Sequence, residues 1–97
     1  MPHYVAIIED AGPDHAIGVW FPDLPGCFSA GDTVDEAFEN AREAVALWID
    51  ARIEDGQPVP QPRTLSEIKA DPASADDLAN HMIALVPGPA RFASAAE

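Results

Sequence analysis

The chain has 97 residues, which suggests a single domain that buries roughly 60–65% of its unfolded surface. Apolar residues make up 47% of it, which excludes global disorder, and no apolar run approaches the ~18 residues that span a membrane. Seventeen acidic and five basic side chains give a net charge of −12. Because such a chain repels phosphate backbones, we expect no direct nucleic-acid binding, and a basic protein is the better partner.

The cysteine content and the N-terminus bear on the cellular compartment. The single cysteine cannot form an internal disulfide, a usage that fits a reducing environment. The N-terminus has neither a basic n-region nor the apolar core of a signal peptide. We therefore expect a cytoplasmic protein that does not associate with membranes.

Three strands are predicted in the first third of the chain. Residues 4–9, "YVAIIE", and 16–21, "AIGVWF", are rich in β-branched and aromatic side chains. Gly12 and Pro13 lie between them in a turn, so the two segments form a hairpin. A Pro-Gly corner follows, after which residues 27–30, "CFSA", form a short third strand.

A long amphipathic helix is predicted next. Thr33 and Glu36 have the spacing of a capping box, and Gly56 with Pro58 ends the helix about 22 residues later. One face of this helix is apolar, and we expect Phe38, Val45 and Trp48 to pack on strand residues such as Ile7 and Val19. The face is formed by Val34, Ala37, Phe38, Ala41, Ala44, Val45, Trp48 and Ile49.

The remainder returns the chain to the sheet. Residues 57–64, "QPVPQPRT", form an extended proline-rich connector, and Thr64 with Glu67 caps a short helix. Residues 70–80 are a polar excursion with one helical turn, and 81–86, "HMIALV", form a last strand inside the sheet. The predicted class is α+β: a two-layer β-β-β-α-β domain, with a three- to four-stranded sheet covered by one long helix.

No catalytic, metal or cofactor site is predicted. The sequence places no basic side chain next to Cys27 that would lower the pKa of its thiol. We therefore expect Cys27 to be a small buried side chain. Metal-ligand spacings and phosphate-binding motifs are absent from the sequence. The acids Glu9, Asp10, Asp23 and Glu36 could meet at a divalent ion, but accidental carboxylate pairs are expected in so acidic a chain.

These elements carry a family resemblance. The string "FPDLPGCFSAGDTVDEAFENAREAVAL", with "DGQPVPQP" after the helix and the returning "MIALVP", resembles the N-terminal domain of HicB-type antitoxins from about Tyr4 to Pro87. The resemblance implies a partial RNase H-like fold. It also implies an antitoxin of a type II toxin-antitoxin system, which binds and neutralises a HicA-like toxin, a small basic ribonuclease that degrades mRNA.

The resemblance leaves two other functions open, and the chain is expected to depart from the family pattern in one respect. Residues 1–87 form the HicB-like domain, and we expect 88–97 to be a short flexible tail without the DNA-binding module of the family. One alternative is an orphan HicB-like module for oligomerisation or ligand binding. The other is an RNase H-like nuclease that uses Glu9 and Asp10.

Two surfaces are candidates for partner binding. On the outer face of the helix an acidic stripe surrounds an apolar position, as an interface core within a charged rim would. The rival is the loop after the second strand, which we expect to present its side chains outward. Exposed strand edges predict a homodimer or higher oligomer. The candidate residues are Glu36, Glu39, Glu43, Leu47 and Asp50 on the helix, and Phe21, Asp23 and Leu24 in the loop.

Overall fold

The computed structural model describes residues 3–89, in which four strands and three helices follow one another as β-β-β-α-α-α-β. The sheet is antiparallel with the order β3-β2-β1-β4. The predicted α+β class, with one long helix on the sheet, is confirmed. The elements are β1 (His3–Glu9), β2 (Ile17–Trp20), β3 (Phe28–Gly31), α1 (Val34–Glu54), α2 (Leu65–Lys69), α3 (Pro72–Asn80) and β4 (Met82–Pro87).

Among the strands that residues 3–89 form, β4 lies at an edge of the sheet, so its predicted interior position is wrong. It pairs with β1 along its whole length, from Met82 opposite Ile8 to Pro87 opposite His3. Its apolar side chains are explained by the faces they occupy, since Ala84 and Val86 point to one layer and Ile83 to the other. The apolar run of β4 therefore reflects contributions to both faces of the sheet, although Met82 and Leu85 stay largely exposed.

The helix α1 forms the main core with one face of the sheet. Its residues Ala37, Ala41, Val45 and Ile49 are buried at helical spacing, and Val19 lies in the same core. Phe38 and Trp48 pack against this core while remaining partly exposed. The predicted contact of this helix with the sheet is thus confirmed.

The opposite face of the sheet is partly covered by the two short helices. Ile68 of α2 and Leu78 of α3 are buried against Val5 and Ile7 of β1. The expected contact of Ile7 with the long helix is therefore wrong, because alternate residues of a strand point to opposite faces.

The predicted single turn in residues 70–80 is also wrong, because α3 runs over Pro72–Asn80. Asp71 caps it by accepting a hydrogen bond from the backbone N–H of Ala73, and Pro72 occupies the first turn. Proline at this place loses no helical hydrogen bond. The composition looked polar because only Ser74 and Leu78 of this helix are buried.

The long helix begins at a close approach to β3. Thr33 is the N-cap and accepts a hydrogen bond from Glu36 N–H, while the Glu36 carboxylate accepts from Asp32 N–H at 3.4 Å. The second bond of the predicted capping box is therefore shifted by one residue. A Cβ atom on Gly31 would lie 2.5 Å from the backbone nitrogen of Ala37. Glycine at this position lets the helix start directly against the strand.

Candidate functional site

The acidic stripe on α1 is exposed and lies opposite the buried face. Glu36, Glu39 and Glu43 are exposed, and Leu47 retains 64% of its accessible surface. At 100° per residue, these positions and Asp50 fall within about 80° on the side opposite Val45. The structure thus brings the five predicted helix residues onto one surface.

The long helix and its ends carry far more acidic than basic side chains. Residues 32–55 contain eight acids and two bases, so 2 − 8 gives −6, half the net charge of −12. The guanidinium of Arg52 lies 4.7 Å from the ring centre of Trp48 and is directed to the Trp48 side of the helix. The outer stripe therefore presents a negative potential around an exposed leucine.

The expected outward loop surface is wrong. Phe21 and Leu24 are buried in the main core, and Asp23 is only 9% exposed. Backbone hydrogen bonds from Leu24 to Phe21 and from Cys27 to Leu24 fold the loop into successive tight turns. These turns direct the apolar side chains under α1, so the loop supports the core instead of offering an apolar contact surface.

Asp23 instead binds the proline-rich connector. Its carboxylate accepts hydrogen bonds from the backbone N–H of Arg63 at 2.8 Å and from Arg63 Nε at 2.6 Å. Arg63 Nη1 reaches Asp71 at 3.1 Å. The bonds to both carboxylates raise the pKa of Arg63, and the Ala73 N–H together with Arg63 lowers the pKa of Asp71. One arginine thus connects the β2–β3 loop, the connector and the α3 cap.

Arg63 was not among the residues predicted from the sequence, although its hydrogen bonds hold the connector in place. Its partner Asp23 is 40 residues away, so no local pattern indicates the pair. Two further long-range bonds act in the same region, from Tyr4 Oη to the Pro60 carbonyl and from Trp48 Nε1 to the Pro25 carbonyl. The only local signal was the concentration of prolines, whose carbonyls remain free to accept such bonds.

Cys27 is unsuited to nucleophilic chemistry. Its side chain is buried in the main core, and burial raises the pKa of the thiol to about 11. A nucleophilic cysteine requires the opposite shift, because the thiolate is the reactive form.

The four acids considered for a metal site are not brought together. Asp23 binds Arg63, and Glu36 lies at the start of α1 beside Asp32. Glu9 and Asp10 line an open pocket with His81 at the end of β1. Within residues 3–89, no group of three or more His, Cys, Asp or Glu side chains is arranged to hold a metal ion. Across the same residues, no helix is both long and apolar enough to cross a bilayer.

The chain belongs to the family described as the HicB-like antitoxin of bacterial toxin-antitoxin systems, which it matches over residues 4–89. A protein of UPF0150 from Synechocystis is 50% identical over 61 residues, covering 61% of this chain and 73% of the relative. Antitoxin HicB 2 of Photorhabdus laumondii is 39% identical over 49 residues, which cover half of this chain and 35% of that antitoxin. An uncharacterised 14.9 kDa protein of Haemophilus phage HP1 is 37% identical over 73 residues.

Solved structures share the fold. The antitoxin HicB of Burkholderia pseudomallei superposes with a TM-score of 0.76 at 31% identity, covering 93% of this chain and 65% of that one. A HicA3–HicB3 toxin-antitoxin complex contains a chain with a TM-score of 0.68 at 28% identity, covering 90% of this chain and 98% of that one. The present chain spans 53% of the phage relative and 65% of the Burkholderia antitoxin.

Proposed function

We propose that this protein is the antitoxin of a type II toxin-antitoxin pair and that it binds and neutralises a HicA-like, mRNA-degrading toxin in the cytoplasm. Family membership over residues 4–89 carries the proposal. The likeness to a chain of a HicA3–HicB3 complex supports a protein partner of the HicA type. The protein acts by binding and not by catalysis, and its oligomeric state is a homodimer or higher oligomer.

The proposed contact surface is the outer face of α1. Glu36, Glu39, Glu43 and Asp50 supply negative charge around Leu47, which is the apolar centre of the surface. A basic partner would be steered by this potential and would relieve the repulsion between neighbouring carboxylates. Contact with Leu47 then excludes water at the centre of the interface.

The same charge explains why the partner is a protein and not a nucleic acid. Phosphate binding gains its affinity from lysines and arginines that replace counterions. This chain has five such residues against seventeen acids, and Arg63 is already bound to two carboxylates. We therefore expect no operator-DNA binding by residues 1–97 alone. The short flexible tail expected for residues 88–97 stays a prediction, since 90–97 lie outside the described residues.

The experiment titrates a purified HicA-like toxin with the wild-type protein and with Glu39→Lys/Glu43→Lys. We expect the variant to weaken binding at least about tenfold at low salt and by less at high salt, because exposed charges are screened. Asp14→Lys/Asp76→Lys is the matched control, since it makes the same charge change at two exposed positions outside the stripe.

The outcomes separate the surface from the function. Weakening by the helix variant but not by the control supports the acidic stripe as the contact. If the helix variant binds as the wild type does at both salt concentrations, the stripe is only a solvated face. If the wild-type protein binds no toxin and leaves mRNA cleavage unchanged, the antitoxin function itself is wrong.

A further inference from the structure

We infer that residues 64–80, which contain α2 and α3, form a lid that opens from the sheet as one unit while α1 and the strands stay folded, and that an ion pair between Arg63 and Asp71 fastens this lid. The hydrophobic contacts, the hydrogen bonds and the helix lengths of the lid each separate it from the main core. Opening changes the surface of the protein under native conditions, whatever partner α1 binds.

The lid has a small hydrophobic cluster of its own. Ile68 of α2 and Leu78 of α3 are buried against Val5 and Ile7, and Trp20 packs against this cluster while partly exposed. The four buried residues of α1 all belong to the main core on the other face of the sheet. Because alternate residues of a strand point to opposite faces, loss of the lid contacts leaves the packing of α1 in place.

The backbone hydrogen bonds of the lid close within it. The backbone N–H of Ile68 donates to the Thr64 carbonyl, and that of Ala75 donates to the Asp71 carbonyl. Thr64 and Glu67 complete a capping box at the start of α2. Among residues 3–89, no strand pairs with the lid. Opening therefore breaks no hydrogen bond of the sheet.

One ion pair joins the lid to the connector. Arg63 Nη1 donates to the Asp71 carboxylate at 3.1 Å, and within residues 3–89 this is the hydrogen bond between the lid and the rest of the chain. Asp23 holds Arg63 through the backbone N–H and Nε. Arg63 therefore stays with the β2–β3 loop when Asp71 leaves it. Both side chains of the ion pair are about one-third exposed, so water replaces part of the lost contact.

The lid helices are too short to persist without the sheet. α2 has five residues and α3 has nine, whereas α1 has 21. Isolated helices shorter than about 12–15 residues are marginal in water. The backbones of α2 and α3 lie closer to each other than to the strands. The two helices should therefore leave the sheet together, as a cooperative unit of lower stability than the main core.

Opening uncovers a continuous apolar face of the sheet. Val5 lies directly opposite Leu85, and Trp20 lies opposite both Ile7 and Phe28, so all five side chains point to the face that carries the lid. Phe28 is already 73% exposed and Leu85 61% exposed, on either side of the strip that the lid covers. The acidic stripe of α1 lies on the other layer, and opening leaves it unchanged.

The test is amide hydrogen exchange of the full chain, followed by NMR at low denaturant concentrations that leave the protein folded. We expect the amides of Ile68 and Ala75 to share one opening constant and one dependence on denaturant. The amide of Ile49, in α1, should have an opening constant at least about a hundredfold smaller. If the lid amides open only together with Ile49, or if Ile68 and Ala75 open separately without denaturant dependence, the inference is wrong.

Two truncations distinguish opening of the lid from unfolding of the whole chain. Leu78→Ala removes packing that opening breaks, so it should raise the opening constants of Ile68 and Ala75 at least about tenfold. Val45→Ala is the matched control in the main core, which stays packed when the lid opens. It should raise the opening constant of Ile49 and leave those of the lid amides unchanged. Equal acceleration of the lid amides by Val45→Ala would overturn the inference.

A milder variant tests the ion pair without disturbing the packing. Asp71→Ser keeps a hydroxyl that caps α3 but is too short to reach Arg63. We expect it to raise the opening constants of Ile68 and Ala75 about fivefold. Asp76→Ser makes the same change at an exposed position of α3 and should have no effect. Equal opening constants in the two variants would show that Arg63 does not fasten the lid.

Discussion

Asp23 and Arg63, 40 residues apart, are joined by two hydrogen bonds of 2.8 and 2.6 Å, one from the backbone and one from the side chain of the arginine. The carboxylate is almost fully buried and the arginine is about one-third exposed. This pair fixes the path of a connector whose prolines cannot donate backbone hydrogen bonds. The pair therefore holds residues 57–64 in place, a role that the backbone hydrogen bonds of strands and helices have elsewhere in the chain.

Asp23→Ala should destabilise the protein by about 1–3 kcal/mol, because it removes two acceptors and leaves the Arg63 N–H without its partner. The arginine is partly exposed, so water replaces part of the loss and the cost stays below that of a fully buried pair. Chemical denaturation measures the change. Asp14→Ala is the control at an exposed turn, and it should fall within about 0.5 kcal/mol of the wild type. Equal stability of the two variants would contradict the role of the pair.

Gly31→Ala should destabilise by about 1–3 kcal/mol through overpacking, because the added Cβ would lie 2.5 Å from Ala37 nitrogen in the backbone of α1. The backbone at the helix start cannot move without breaking the Thr33 cap. Gly18→Ala offers a matched control in the neighbouring strand, where a Cβ meets no atom within 4 Å. Thermal unfolding of both variants compares them, and a loss in Gly18→Ala as large as that in Gly31→Ala would exclude the steric explanation.

Trp48→Ala should cost about 2–4 kcal/mol, since it removes a large side chain that packs on the core and donates to the Pro25 carbonyl. Trp48→Phe should recover part of this loss, because its phenyl ring restores much of the packing, although it is smaller than the indole and lacks the N–H donor. Urea denaturation with both variants separates packing from hydrogen bonding. If Trp48→Phe is as unstable as Trp48→Ala, the hydrogen bond and not the packing dominates.

Stability should fall on the alkaline side. Burial raises the pKa of Cys27 from 9.0 to about 11 and that of Tyr4 from 10.0 to about 12, where the Asp23 charge adds to the effect. Between those values the folded state holds protons that the unfolded state has lost, so unfolding becomes easier as the pH rises. Below pH about 9 these two groups contribute no pH dependence.

Denaturation curves taken between pH 8 and about pH 11 test this expectation, with Cys27→Ala as the comparison. The variant should lose the part of the decline that begins near the ordinary thiol pKa of 9.0 and keep the later part, which belongs to Tyr4. An unchanged slope in Cys27→Ala would show that the thiol ionises equally easily in both states.

Much of this fold was determined by local sequence. The caps at Thr33 and Thr64, the apolar face of α1 and the turn between β1 and β2 each depend on residues within one or two turns of chain. Local hydrogen bonds and side-chain period encode such features directly. For the same reason the positions of the acidic residues on the outer face of α1 followed from their spacing, whereas their contact with a toxin stays a prediction.

Only the tertiary structure decided the rest, because it depended on contacts between distant residues. The alternation along β1 does not reveal that Ile7 faces Ile68 and not α1. The composition of β4 does not reveal that, within residues 3–89, it pairs with a single strand. The loop at Phe21 and Leu24 was expected outside and lies inside, since its burial comes from the helix packed over it. Burial and strand order are properties of the assembled layers, and a short segment carries no record of which distant residue will cover it.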